Sequence, residues 1–210
     1  MVVVDRMAEN EGIRSCKSYK MNALQKSWIE HGYQVFASQG PPGLKVERLA
    51  RKMGKNKSSF YHHFADLEVF TGLLLDYHLE QARLLARKES GCETAADLIE
   101  VLVEHKTDLL FSRQLRVHRE KPAFEACFVK TNQISLPALL GVWSEIIELK
   151  DNSDLSGLVL GLSLENFFLQ ITDDHLNKSW LANYFHELRT LVRAFKNHGP
   201  GHHQTVASKI

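Results

Sequence analysis

Apolar residues recur every three or four positions along most of this sequence, which is the spacing of one face of an α-helix. Only five prolines and twelve glycines interrupt its 210 residues, and the hairpin dipeptides Asn-Gly and Asp-Gly are absent. A half-buried β-strand would instead alternate with a period of two between clusters of turn residues. The sequence therefore predicts an all-α protein of about nine helices.

A few breaks separate the predicted helices. The segment Gly40-Pro41-Pro42-Gly43 should end the first helix, Gly54 is suited to cap the second, and Asp66 to begin a long fourth helix. We therefore expect a compact three-helix unit followed by a larger helical bundle. The helices are predicted near 24–36, 46–53, 57–64, from 67 onward, and near 94–112, 115–131, 134–150, 154–173 and 177–197.

The net charge of +1 hides an uneven distribution. Residues 1–65 contain eleven Lys or Arg and five Asp or Glu, a charge of +6 that leaves −5 for residues 66–210. A basic segment on an acidic body is expected where one part of a protein meets a polyanion. A basic stretch is also common on an ordinary solvated surface, so charge alone does not decide between the two interpretations.

Several classes of protein do not fit the sequence. No apolar run reaches the roughly 20 residues of a membrane span, and Asp5 and Arg6 come too early for a signal peptide. We expect a cytoplasmic protein with no membrane partner. Cys16, Cys92 and Cys127 are too few and too far apart for a disulfide framework or a zinc knuckle, so we expect reduced thiols, no metal and no cofactor. Walker, GxSxG and HExxH motifs are absent, so an enzyme is not expected.

The second and third predicted helices are joined by Gly54-Lys55-Asn56, which is the spacing of a helix-turn-helix. In that motif the second helix enters the major groove of DNA. Phe60 and Phe64 lie four residues apart and would anchor one face of this helix, leaving its polar side chains for phosphates and base edges. Periodicity alone equally allows a three-helix bundle with a glycine turn. The candidate DNA contacts are Lys45, Lys55, Asn56, Lys57, Ser58, Ser59, Tyr61 and His62.

Residues 20–75 resemble the DNA-binding domain of the TetR (tetracycline-repressor) family of transcriptional regulators. The similarity is carried by Gly40 and by the run from Val46 to Phe64, in which a glycine precedes a basic, hydroxyl-bearing turn and an aromatic-x-x-Phe. The resemblance implies a ligand-responsive repressor that binds a palindromic operator in double-stranded DNA as a homodimer. A helical small-molecule-binding protein with weak or lost DNA binding is the alternative.

This resemblance leads us to expect four parts in the chain. They are a flexible N-terminal arm over 1–19, a helix-turn-helix domain over 20–66, a ligand-binding and dimerisation domain over 67–197, and a flexible tail over 198–210.

Three positions depart from the family pattern. Lys45 stands where the family often has Thr, Lys55 where a small apolar residue is usual, and Leu67 where a lysine commonly meets the DNA backbone. The loss of that lysine would remove one phosphate contact, which Lys45 or Lys55 would compensate.

The same resemblance implies that the last two helices pair with their symmetry mates in a four-helix interface. Both are apolar around more of their circumference than a surface helix should be, although burial within one subunit would produce the same pattern. The candidate interface residues are Leu155, Leu158, Leu162, Trp180, Tyr184, Leu188 and Leu191.

An unknown small-molecule ligand is expected to bind in the larger domain. Aromatic walls with a few polar groups are typical of such sites, although an aromatic stripe is more often plain core. Glu165 lies in apolar company, which is costly for a carboxylate unless it faces a pocket or is paired across the interface. The candidate ligand contacts are Phe111, His118, Phe124, Phe128, Trp143, Glu165 and Phe168.

Overall fold

The computed structural model describes residues 22–198, and this part of the chain is helical throughout, with no strand. The all-α prediction is confirmed. The predicted arm over 1–19 and the tail from residue 199 lie outside the described residues. The helices are α1 Ala23–Gln39, α2 Val46–Lys52, α3 Lys57–His63, α4 Leu67–Glu89, α5 Ala95–Glu104, α6 Lys106–Val117, α7 Pro122–Ile146, α8 Ser153–Gln170 and α9 Lys178–His198.

Two predicted boundaries in the middle of the chain are wrong. The helix predicted over 94–112 is two helices, which meet at His105. No glycine or proline marks this break; the buried His105 ring lies with its Nδ1 2.7 Å from Asp108 Oδ2. The helices predicted over 115–131 and 134–150 are replaced by α7, which begins with a proline and continues through Pro137. Tertiary packing rather than local sequence signals therefore determines where α5, α6 and α7 begin and end.

The first three helices are delimited by their own sequence. Asn22 caps α1 in a capping box with Gln25. At the end of α2 the Lys55 amide donates to the carbonyl of Ala50 at 2.8 Å and the Gly54 amide to that of Arg51 at 3.1 Å. This is a Schellman motif, and Gly54 adopts the φ of 63° that it requires. The predicted glycine cap is confirmed.

Side-chain caps then set where α3 and α4 begin. The Ser59 amide donates to Asn56 Oδ1 at 2.8 Å, and the Val69 amide donates to Asp66 Oδ1 at 2.7 Å. The predicted start of α4 at Asp66 is confirmed. Only Phe64, Ala65 and Asp66 separate the two helices, so α4 is coupled closely to α3.

One continuous core runs from the three-helix unit into the bundle. Phe60 packs edge-on against Trp28, with ring centroids 5.5 Å apart, and lies 5.1 Å from Phe70 at the start of α4. Nearer the C-terminal end of α1, Phe36 stacks on Phe111 of α6 with a centroid distance of 4.2 Å. The α1 helix is therefore shared between both parts of the molecule.

Gly40 allows α1 to end against α6. Its φ is 64°, and a Cβ atom at this position would lie 2.6 Å from Gln114 Oε1. An L side chain would be strained there and would also require the Gln114 side chain to move. This contact gives a structural reason for the glycine on which part of the family resemblance rests.

Candidate DNA-binding face and internal cavity

The α3 helix separates an apolar face from a polar one. Phe60 and Phe64 are buried, whereas 54% of the Tyr61 side chain is exposed. Lys55, Asn56, Lys57, Ser58 and His62 are also exposed, and Ser59 is half-buried. The sequence-predicted DNA contacts of the turn and α3 thus share one accessible surface, which has the dimensions of a single helix that the major groove admits.

Two of these predicted contacts already have partners in the protein. Lys57 Nζ forms an ion pair with Glu47 of α2, and this hydrogen bond lowers the pKa of the Glu47 carboxyl. Asn56 uses its side-chain oxygen to cap α3, which leaves its amide nitrogen as a donor. The ammonium group of Lys57 has three N–H donors, so the contact with Glu47 leaves donors for a phosphate.

The positive charge of this region extends beyond the predicted contacts. Residues 22–65 contain seven Lys or Arg against two Asp or Glu, and both acids are paired, Glu47 with Lys57 and Glu30 with Lys26. Arg51 and Lys52 are exposed in the last turn of α2 and were not among the predicted contacts. The sequence shows that both residues are charged, but it does not show that both side chains are exposed at the end of α2.

The three departures from the family pattern occupy distinct places. Lys45 is the N-cap residue of α2, is exposed and forms no side-chain cap. Lys55 is exposed in the turn, whereas Leu67 is half-buried and packs against the core at the start of α4. Leu67 therefore contributes apolar packing at a position from which a lysine would reach outward.

A cavity of about 70 Å³ lies inside the bundle, bounded by α4 to α9. Phe128, Trp143 and Phe168, all predicted as ligand contacts, line it. Leucine and aromatic side chains make up most of the remaining wall. The polar lining residues are His78, Glu89, Asp108, Ser112, Thr131, Asn132, Ser135 and Ser163.

The other four predicted ligand contacts do not line this cavity. Phe111 stacks on Phe36 in the core, and Phe124 meets Phe36 edge-on at a centroid distance of 5.5 Å. His118 lies beyond α6, with Nδ1 3.7 Å from an oxygen of Glu120. Glu165 is placed on the exposed side of α8.

The carboxylate of Glu165 is paired within its own chain. It accepts hydrogen bonds from Arg116 Nε at 3.0 Å and Nη2 at 2.7 Å, and this contact lowers its pKa. The same guanidinium lies 4.5 Å from the ring centroids of Phe128 and Phe168, in cation–π geometry.

A buried hydrogen-bond network connects the cavity wall to α1. Tyr33 Oη donates to Asp108 Oδ1 at 2.7 Å and lies 2.7 Å from His78 Nδ1. Because the hydroxyl has only one proton, Nδ1 of His78 is the donor to Tyr33. Burial lowers the pKa of His78 to about 3, so the neutral ring accepts at Nε2 from Ser112 Oγ, 3.1 Å away. Spacing in the sequence gave no signal for this network, since its members lie far apart in the chain.

Glu89, at the other end of the cavity, has no such partners. Its side chain is 3% exposed, and among the described residues its Oε2 has no hydrogen-bond partner. Burial raises the pKa of this carboxyl to about 7. The indole Nε1 of Trp143, in the same lining, is likewise buried without a partner in the described part of the chain.

The exposed side of α8 carries a row of leucines, which we call the α8 stripe: Leu155, Leu158, Leu162 and Leu169. Their spacings of three, four and seven place them on one side of the helix, and Leu158 and Leu162 are 61% and 65% exposed. A Cβ atom added at Gly157 or Gly161 would meet nothing within 4 Å. The leucine row of α8 is therefore apolar and exposed, and the two glycines lie to one side of it.

The predicted interface residues of α9 divide into three kinds. Leu191 is exposed, as is Phe195 one turn later. Trp180 and Leu188 are half-buried. Tyr184 is buried within the protomer, where its hydroxyl donates to the Ser163 carbonyl at 2.7 Å and its ring lines the cavity.

Metal-binding sites and membrane-spanning helices are two other kinds of feature that a helical protein can contain. Within residues 22–198, no group of three or more His, Cys, Asp or Glu side chains is arranged to hold a metal ion. No helix in this same range combines the length and apolar character that crossing a bilayer requires.

Comparisons with known proteins bear on the first three helices and on the overall fold. Residues 29–68 match the sequence profile of the bacterial regulatory proteins of the tetR family. No curated protein matches the chain in sequence. A TetR-family transcriptional regulator from Bordetella parapertussis 12822 has a similar structure, with a TM-score of 0.55 and 16% identity over 82% of this chain and 95% of that one.

Two other solved structures are similar to the same extent. The ketosteroid transcriptional regulator KstR2 of Mycobacterium tuberculosis has a TM-score of 0.55 and 16% identity, over 81% of this chain and 95% of that one. A TerR/AcrR-family regulator from Aquifex aeolicus VF5 has a TM-score of 0.54 and 18% identity, over 81% of this chain and 98% of that one. Residues 29–68 are thus similar to the DNA-binding domain of the tetR family of bacterial regulatory proteins, and the helical fold is similar to that of a solved TetR-family regulator.

Proposed function

We propose that this protein is a ligand-responsive repressor that binds a palindromic operator as a homodimer. The observation that carries the proposal is the division of α3, whose aromatic residues are buried while its hydroxyl, imidazole and amino groups share one exposed face beside a basic α2. Basic side chains supply affinity for phosphates, and the polar α3 face supplies contacts to base edges.

The homodimer is supported by the α8 stripe. Four exposed leucines on one side of a helix are unusual on the surface of a monomer. Two copies related by a two-fold axis would present two α3 helices to half-sites about one helical turn of DNA apart. A palindromic operator follows from that symmetry.

The response to ligand is supported by the position of the cavity. His78, Asp108 and Ser112 belong both to its lining and to the network that reaches Tyr33 on α1. A ligand that binds one tilt of α4 more tightly than another would change the separation of the two α3 helices. Its effect on DNA binding is limited to that difference in affinity.

The decisive experiment selects DNA from a random library with the purified protein and then titrates the selected duplex. We expect a two-fold symmetric consensus and an affinity that falls steeply with salt. Tyr61→Ala and Lys57→Ala should weaken binding about tenfold or more, with dimerisation unchanged. Lys150→Ala, an exposed lysine between α7 and α8, is the matched control and should bind as the wild type does.

The opposite results identify the alternative. If no sequence is enriched and the residual affinity is insensitive to salt, the protein is a helical small-molecule-binding protein that has lost DNA binding. If enrichment occurs but both α3 variants bind normally, the assignment of the DNA-binding face is wrong.

A further inference from the structure

Among the buried polar groups of the cavity lining that have no partner in the described part of the chain, Glu89 is the one that can carry a charge. The residue ends α4 and lines the cavity, and its carboxyl forms no hydrogen bond or ion pair with any described residue. By contrast, Asp108, the other acid of the lining, accepts from Tyr33 at one oxygen and from His105 at the other. A buried carboxyl without a partner is costly and is seldom retained in a core without a further role.

The charges around the cavity favour a cation. The lining contains two acids and, among the described residues, no lysine or arginine. Arg116, which packs on two rings of the wall, is held by Glu165 through Nε and Nη2, and its buried Nη1 has no partner among the described residues. Glu89 also stands at the C-terminal end of α4, where the helix dipole attracts positive charge. A ligand carboxylate would add a second unpaired anion, whereas an ammonium group would supply the missing partner.

The size of the cavity limits the rest of the ligand. One buried water needs at least roughly 10–15 Å³, so a volume of about 70 Å³ holds a molecule of several non-hydrogen atoms. Along α4, the eleven residues from His78 to Glu89 correspond to a rise of about 16 Å. Between these ends the wall is formed mainly by leucine and aromatic side chains. A matching ligand is therefore small and mostly apolar, with a polar group that meets Glu89.

We propose that the cavity binds a small, mostly apolar molecule carrying a protonated amine, and that Glu89 forms the ion pair with this amine. The proposal rests on the proposed function for its consequence, because such an amine would then be the effector that alters operator binding. The binding itself is independent of DNA.

The test compares three six-carbon probes of matched length, hexylammonium, 1-hexanol and hexanoate, by isothermal titration at about pH 8, where the Glu89 carboxyl is mainly ionised. Wild-type protein should bind hexylammonium about tenfold more tightly than 1-hexanol and should bind hexanoate most weakly. Equal affinity for hexylammonium and 1-hexanol, tightest binding of hexanoate, or no binding of any probe would each overturn the proposal. In the last case ordered water satisfies Glu89.

Two variants separate the carboxylate from general effects of charge. Glu89→Gln keeps the shape of the side chain and removes its charge, so the preference for hexylammonium over 1-hexanol should disappear while 1-hexanol still binds. Glu93→Gln removes an exposed acid four residues away and should retain the wild-type preference. If the preference survives in Glu89→Gln, another group binds the amine and the proposal fails.

The same preparations are tested for binding to the selected duplex, so that the two proposals fail in different ways. Operator binding without hexylammonium binding overturns the amine site and leaves the regulator intact. Hexylammonium binding that depends on Glu89, in a protein that binds no DNA, supports the amine site and contradicts the regulator.

Discussion

The two acids of the cavity lining, Asp108 and Glu89, have opposite effects on the stability of the fold. Asp108 is held by Tyr33 and His105, at distances of 2.7 Å each, and so belongs to the fixed framework of the bundle. Glu89 is just as inaccessible but has no partner among the described residues. The first contributes to stability through satisfied hydrogen bonds, and the second reduces stability whenever it is charged.

The unpartnered state of Glu89 predicts a specific dependence of stability on pH. Its pKa is about 7 in the folded protein against an ordinary value of 4.5, so the folded state holds this proton more tightly than the unfolded chain does. The contribution to stability is full below about pH 4.5 and is lost as the pH rises through about 7, a difference of up to about 3 kcal/mol. Urea unfolding of wild type and Glu89→Gln across this range measures it: the variant should lack this loss, and Glu93→Gln should retain it.

The Tyr33 hydroxyl is predicted to contribute more to the free energy of unfolding than the hydroxyl of the neighbouring Tyr77. Tyr33→Phe leaves Asp108 Oδ1 without a donor and His78 Nδ1 without an acceptor, both in the core, and should cost about 1–3 kcal/mol of unfolding free energy. Tyr77→Phe removes a half-buried hydroxyl from the adjacent ring, 5.0 Å away, and should change stability by less than about 0.5 kcal/mol. Equal effects in denaturant titrations would show that the network contributes nothing specific.

Among the elements, the turn of the helix-turn-helix depends on one glycine. Gly54 has a φ of 63°, and a Cβ atom there would contact nothing within 4 Å, so only backbone strain opposes a side chain. Gly54→Ala should therefore destabilise the protein by about 1–2 kcal/mol. Gly72→Ala, within α4 and equally free of contacts, should instead stabilise it by about 0.5–1 kcal/mol. Thermal unfolding of the two variants should thus shift in opposite directions; shifts of the same sign would contradict the strain argument.

Elements with local signals were predictable, and elements set by packing were not. Gly54 and Asp66 have caps that operate within four residues, so the sequence indicated the ends of α2 and α4. The break at His105 depends on a buried ring and on Asp108, and nothing nearby in the sequence resembles a stop signal. Pro137 lies within α7, where the local pattern would favour an interruption.

At the scale of the whole molecule, the two candidate sites differ in whether local sequence signals or tertiary packing determine them. The candidate DNA-binding face lies on short helices with strong local signals, so its residues could be proposed from the sequence. The cavity is assembled from six helices, and only three of its seven predicted contacts line it. Phe111 and Phe124 have the composition of a ligand wall but fill the junction of α1 with the bundle, and an aromatic pattern in one dimension does not distinguish the two environments.

The proposed homodimer depends on the surface of the molecule rather than on its core. The α8 stripe leaves Leu158, Leu162 and their neighbours largely in water in a single protomer; burying leucines of this kind in a partner contributes about 1.5–3 kcal/mol per side chain. Leu158→Glu combined with Leu162→Glu should therefore convert a dimer into a folded monomer, as measured by light scattering with circular dichroism. Leu84→Glu, an exposed leucine of α4 outside the stripe, is the control and should remain dimeric. Because two α3 helices must reach two half-sites together, the monomer should also bind the selected duplex far more weakly, although its α3 face is unchanged. A stripe variant that stays dimeric would place the interface on another face of the protein.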